Sequence, residues 1–230
     1  MEIDNIYNKD CLEGMKKLPD KSIDLIVTDP PYLVSTKGGG FVTKNKKEKV
    51  FSEIASVGIE RDLDHEVLTE MVRLMKKINI YIWCNHKQIP QYLDYFVKEL
   101  GCNFDIIIWN KTNVMPLYKN KWLTDKEYCL YFRKGGYCNP PSYADAKTVF
   151  TSAINKKDKK MYGHPTIKPL DIIKTLISNS SREGDVILDP FLGSGTTAVA
   201  AKILGRRYIG FERQKEYFDT ANKRLEEVQV

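Results

Sequence analysis

The chain has 230 residues, 42% hydrophobic and 29% charged, which suits a single domain over 1–230 with a real core and leaves too little chain for a separate second one. Its 36 Lys and Arg against 30 Asp and Glu give a formal charge of +6, consistent with a polyanionic partner and equally with ordinary surface charge. The five cysteines form no Cys-x-x-Cys pair and read as reduced thiols of a cytoplasmic protein, no signal peptide is expected, and no apolar run approaches the ~20 residues of a membrane span.

Taken in order, residues 3–7 form a short strand and 11–18 a helix, with Asp10 placed to cap it. Pro19-Asp20-Lys21 turns the chain into the apolar, β-branched run 23–28, which leads straight into Asp29-Pro30-Pro31-Tyr32. Two prolines with fixed φ and no N–H stop the ladder, so Asp29 is left at a strand's carboxyl end, where open α/β sheets bind ligands. An acid, a rigid carbonyl and a flat ring together suit activation of a nucleobase amine. Its lone pair is delocalised into the ring until acceptors hold its hydrogens: Asp29 would take one and the Pro30 carbonyl the other. Tyr32 would stack on the base, which has to leave the duplex to reach such a site. The plainer reading is a strand ending in a Pro-Pro turn.

The stretch 33–61 holds Gly38-Gly39-Gly40 and a lysine run that includes Lys44, Lys46 and Lys47, and reads as a loop. It is either a solvated charge run or a lid that orders on nucleic-acid phosphates. Segments 62–77 and 88–100 have apolar residues at helical spacing, and strands are expected at 78–83, 104–109 and 127–132. Cys84-Asn85-His86 reads as strand-end packing, and no metal site is expected. The loop 110–125 is too short to hold a crossover helix, so 127–132 should run antiparallel. That loop mixes Lys111, Asn113, Lys119 and Lys121 with aromatics, which suits phosphate contact with stacking or base-edge contact, or a plain surface loop. The stretch 139–163 reads as irregular.

His164-Pro165-Thr166-Ile167-Lys168-Pro169 enters a helix over 170–180, with Pro169 well placed as its first residue. The strand 185–190 then ends in Asp189-Pro190, followed by Phe191-Leu192-Gly193-Ser194-Gly195-Thr196-Thr197-Ala198 and a helical run to Leu204. Strand, glycine turn and helix let a backbone approach a ligand closely. Glu212, at the tip of a strand over 207–212, comes 17 residues after Gly195, near the spacing at which an acid meets ribose hydroxyls. A last helix spans 214–228.

Asp29-Pro30-Pro31-Tyr32, then His164 to Pro169, then Phe191-x-Gly193-x-Gly195, in that order across nearly the whole chain, resembles the β-class S-adenosylmethionine-dependent amino-methyltransferases of DNA. In that class the catalytic motif precedes the cofactor motif by circular permutation. The pattern of strands and helices, with the resemblance, implies a Rossmann-like three-layer α/β/α fold on a mainly parallel seven-stranded sheet with one antiparallel strand, the two Asp-Pro tips side by side. The resemblance implies S-adenosyl-L-methionine as cofactor, held by Asp10, Cys11, Asp29, His164, Thr166, Lys168, Asp189, Phe191, Gly193, Ser194, Gly195, Thr196, Thr197 and Glu212. Within this set, Asp10 would meet the adenine, and Thr166 and Lys168 the methionine carboxylate. Catalysis falls to Asp29, Pro30, Pro31 and Tyr32, with double-stranded DNA as partner and the loops 33–61, 110–125 and 139–163 reading the target. Family members often carry Asn after the tyrosine where this chain has Leu33, which puts contacts just beyond the motif in question.

In the resembled family an Asp in the first motif position goes with adenine, so the resemblance implies adenine N6 as acceptor. Cytosine N4 and RNA stand as alternatives, and a nicotinamide-dependent oxidoreductase is the rival from another class, though it leaves Asp29 to Tyr32 without a task. The resemblance suggests a homodimer and leaves a cognate restriction endonuclease open as a further partner.

Overall fold

A computed structural model of the chain describes residues 1–31, 63–116, 118–154 and 167–228. Its strands are β1 (Asn5–Tyr7), β2 (Leu25–Thr28), β3 (Ile78–Cys84), β4 (Asn103–Lys111), β5 (Lys126–Lys134), β6 (Val149–Ser152), β7 (Val186–Asp189) and β8 (Arg207–Phe211). The helices are α1 (Cys11–Met15), α2 (His65–Leu74), α3 (Ile89–Tyr92), which runs on as a π-helical segment Leu93–Glu99, α4 (Leu170–Ser180), α5 (Thr196–Ile203) and α6 (Lys215–Glu226). Among the described residues no helix is long and apolar enough to cross a membrane.

The strands form one sheet in the order β1-β8-β7-β2-β3-β5-β4-β6. β5 runs antiparallel to both neighbours and every other pairing is parallel. Side chains alternate between faces at period two, so β2 feeds two cores at once. Ile26 joins Ile80, Phe132, Leu188 and Phe211 under α1, α2 and α3. Leu25 and Val27 join Tyr81, Trp83, Cys129 and Ile187 under α4 and α5. Burial on both faces explains why the strand reads as a continuous apolar run rather than an alternating one.

The three-layer architecture, the antiparallel β5 and the adjacency of β2 and β7 agree with the sequence reading. Three details differ. Among the described residues the sheet has eight strands, because β6 lies inside the stretch read as irregular: it is a four-residue edge strand with alternate residues exposed, too short to stand out from a loop. The helix expected over 88–100 widens into a π-helix from Leu93, which brings Tyr92, Tyr95 and Phe96 inward together. Pro169 stands just outside α4 as its N-cap, with Leu170 the first helical residue.

Candidate active site

β2 and β7 are hydrogen-bonded neighbours, with Ile26 paired to Leu188, so their carboxyl tips present Asp29 and Asp189 side by side. The two tips are tied by a buried hydrogen bond of 2.9 Å from the Thr28 hydroxyl to Asp189 Oδ1. The same oxygen accepts the Phe191 N–H at 3.1 Å, which starts the glycine turn. Burial pushes the Asp189 carboxyl up to about 7, against hydrogen bonds from Thr197, Thr28 and the Phe191 amide that favour the ionised form. Asp189 therefore shapes the turn from inside the protein.

After Asp189 the chain reverses through Gly193 at φ 54° and Gly195 at φ 84°. A Cβ on Gly195 would lie 2.8 Å from that of Ala221 on α6, so this position is closed to side chains twice over, by conformation and by space. Arg224 of α6, itself buried, donates to the Ser194 carbonyl at 2.6 Å, the Ser194 hydroxyl at 3.0 Å and the Thr196 hydroxyl at 3.1 Å. Thr197 donates to the Val27 carbonyl. The side chains of Ser194, Thr196 and Thr197 are thus spent on holding the turn, and what the turn can offer a ligand is its backbone.

Glu212, just past the end of β8, closes this arrangement. Its Oε2 accepts the Gly193 N–H at 2.9 Å and its Oε1 the Gln214 N–H at 2.7 Å. Burial still raises its carboxyl above the ordinary value, since these amides only partly offset the lost hydration. Asn8 donates to the Glu212 and Arg213 carbonyls and the Lys9 amide to that of Glu212, which draws the loop before α1 onto the same tip. Asp10 is there as the N-cap of α1, accepting from the Leu12 and Glu13 amides. Cys11 points into the core, where burial pushes its thiol up to about 12, so its side chain is packing rather than a ligand.

On the other side of Asp29 lies a group of charges that the sequence does not announce. Lys168 is buried, ion-paired to Asp29 Oδ2 and 3.2 Å from Glu127 Oε2. Its ammonium sits 5.2 Å above the Trp83 ring. Glu127 Oε1 in turn meets Lys111 Nζ at 3.1 Å. Burial works against the Lys168 cation, but the carboxylates of Asp29 and Glu127 override it and hold the ammonium above the usual lysine value. Burial likewise opposes Glu127, and Lys168 and Lys111 bring its carboxyl below the usual range.

Two of the residues expected to touch nucleic acid therefore have other work. Lys111 is engaged with Glu127, and Asn113 bridges two segments, donating to the Ile154 carbonyl and accepting the Ile154 amide at 2.7 Å. Lys119 and Lys121 are exposed. Tyr32, Lys44, Lys46, Lys47, His164 and Thr166 lie outside the described residues.

Known proteins agree with this geometry. A family profile described as DNA methylase, of the N6/N4 type, matches residues 23–223. The chain is 34% identical to the type II methyltransferase M2.DpnII of Streptococcus pneumoniae over 96% of its own length and 89% of the relative's. It is 30% identical to M.HinfI of Haemophilus influenzae, covering 98% of this chain and 69% of that one. Among solved structures, the M1.HpyAVI–SAM complex superposes with a TM-score of 0.69 at 30% identity, covering 96% of this chain and 99% of the other. The cytosine-N4-specific PvuII DNA methyltransferase shares the fold, with a TM-score of 0.72 at 19% identity, covering 98% of this chain and 87% of that one. The chain belongs to the N6/N4 DNA methylase family and is an S-adenosylmethionine-dependent DNA methyltransferase.

Proposed function

We propose that the acceptor is the N6 amine of an adenine extruded from double-stranded DNA. The observation that carries this reading is the placement of Asp29 beside the Gly193–Gly195 turn on neighbouring strand tips. In the amino-methyltransferases that the chain resembles, Asp at this motif position goes with adenine. The Asp29 carboxylate would accept one amine hydrogen and the Pro30 carbonyl the other, with Pro31 holding the backbone rigid and Tyr32 as the stacking surface. The residues fit the cofactor by the chemistry of their donor set. Glu212 offers a carboxylate for ribose hydroxyls, Asp10 lies on the loop drawn to the same tip, and the turn from Phe191 to Gly195 offers backbone without side-chain obstruction. S-adenosylmethionine, when bound, supplies an electrophilic methyl group on a sulfonium. Thr166 is the proposed partner of its methionine carboxylate and His164 a further cofactor contact, while Lys168, expected at that carboxylate as well, is ion-paired to Asp29 and Glu127. Positioning an intrinsically reactive donor in line with the amine then carries most of the rate.

The DNA would lie across the tips of the sheet, met by the segments 33–61, 110–125 and 139–163, with Lys44, Lys46, Lys47, Lys119 and Lys121 on phosphates. A homodimer and a cognate restriction endonuclease are proposed as further partners from the likeness to type II methyltransferases. Transfer of labelled methyl to adenine-containing duplexes, and its absence on duplexes without adenine, is the expected result. Equal labelling of both would refute the adenine assignment.

The β4–β5 loop yields a separate expectation. Trp83 and Trp109 are 1% and 2% exposed whereas Trp122, next to Lys121, is 95% exposed, so changes in tryptophan emission report mainly on this loop. Saturating duplex should quench the emission, and Trp122→Ala should weaken DNA binding roughly ten- to a hundredfold if a base stacks on the indole. Emission unchanged on saturation would return Trp122 to an uninvolved surface.

A further inference from the structure

β5 is the antiparallel strand, so its first residues lie at the end of the sheet where β2, β3 and β7 deliver their carboxyl tips. Glu127, the second residue of β5, pairs in register with Trp109 and thereby enters the active site from the opposite chain direction. It stands between two cations. Oε2 is 3.2 Å from Lys168 Nζ and Oε1 is 3.1 Å from Lys111 Nζ, and Lys168 reaches on to Asp29. The result is a row of alternating charge, Asp29, Lys168, Glu127, Lys111, with Lys168 over the Trp83 ring and Lys111 over that of Trp109. A buried ammonium is costly unless it is paired and hydrogen-bonded.

We propose that Glu127 is a positioning residue for methyl transfer: it fixes the Lys168 ammonium beside Asp29, so that the Asp29 carboxylate holds one orientation toward the incoming amine. This rests on the reading of Asp29 as the amine's acceptor. Lys111 has the corresponding task one step further out, keeping Glu127 ionised and in place. Among the described residues the titratable groups facing Lys168 include Asp29 from the end of β2, Glu127 from β5 with Lys111 of β4 behind it, and the thiols of Cys84 on β3 and Cys129 on β5. Burial lifts the Cys84 thiol to about 12 and that of Cys129 well above its ordinary value, so both stay neutral, and it is the carboxylates of Asp29 and Glu127 that hold the lysine charged against its burial.

The test compares wild type, Glu127→Gln, Glu127→Gln/Lys111→Met and Asp29→Ala as full-length proteins in steady-state methylation of duplex DNA. Glu127→Gln is expected to lower kcat by about 10–10²-fold, the usual penalty for a misplaced catalytic group, while KM for DNA and for S-adenosylmethionine stays within about twofold. Its alkaline activity limb should move to lower pH, because burial of Lys168 is then opposed by one carboxylate instead of two. The double variant removes an opposite-charge pair together and restores the local balance, so it keeps the test decisive if the single variant unfolds. It should fold and still show the kcat loss. Wild-type kcat in either variant, or a fall in activity with an unmoved alkaline limb, would overturn the proposal. Failure of the underlying reading looks different: Asp29→Ala would then turn over normally, whereas an inactive Asp29→Ala beside a fully active Glu127→Gln removes only the positioning role.

Discussion

Asp29→Ala is expected to lower methyl transfer by about 10²–10³-fold, the cost of losing one preorganised polar contact at a reaction centre. The protein should remain folded. Asp29 is partly exposed at a strand tip rather than packed in either core, and Lys168, which loses one carboxylate, keeps Glu127 as its counter-charge. Steady-state methylation of duplex DNA, with thermal unfolding as the control, separates the two effects. Turnover near the wild-type level would show that the amine is activated elsewhere, and the chemical account of the motif would then be wrong.

The second large effect concerns stability and its dependence on pH. Asp189 is fully enclosed at the tip of β7, and its carboxyl is raised from 3.8 to about 7, chiefly by burial. Between those two values the folded protein keeps this proton while the unfolded chain has released it. The unfolded state therefore binds fewer protons, and stability falls as pH rises through the window. The contribution of this one group approaches a loss of about 4 kcal/mol above pH ~7 relative to pH ~4. Asp189→Asn keeps the shape and removes the titration. Urea unfolding from pH 4 to pH 8 should show the wild type losing stability relative to the Asn variant across this interval, with the difference levelling off above pH ~7. Parallel profiles for the two proteins would mean that the carboxyl is ionised throughout, which its burial does not favour.

Both of these residues are conspicuous in the sequence because the same local device, an apolar run ending in Asp-Pro, places each at a strand tip. A short-range signal of that kind survives without knowledge of the fold. The two runs continue differently, one into Pro31-Tyr32 and the other into a glycine turn, and the structure gives their acids different surroundings: Asp29 is half-buried and ion-paired to Lys168, while Asp189 is buried against Thr28 and the Phe191 amide. Residue type alone does not carry that distinction. Lys168 was legible as a residue near the cofactor, but its pairing with Asp29 spans 139 positions and depends on β2 and the start of α4 meeting at one end of the sheet.

Glu127 and Arg224 were missed for a related reason. Glu127 opens a strand read for its apolar residues, and only the antiparallel direction of β5 brings it to the catalytic end. The expectation that this strand is antiparallel was already the signal needed to find it. Arg224 sits on the last helix beside Ala221 and Leu225, which pack into the core, and its burial against the glycine turn comes from how closely α6 approaches Gly195. Lys111 and Asn113 show the converse. Polar residues between two strands look ready for nucleic acid, yet Lys111 ends β4 and meets Glu127 through the antiparallel β4–β5 pairing, and Asn113 is engaged by Ile154 from a segment 41 positions on.

The central claim is that this site methylates the N6 amine of adenine, and the nature of the methylated base tests it most directly. Duplex DNA containing all four bases is methylated by the full-length protein with S-adenosylmethionine, digested to nucleosides and analysed by mass against authentic standards. The account predicts N6-methyladenine as the main product, lost in Asp29→Ala. N4-methylcytosine as the main product would contradict it.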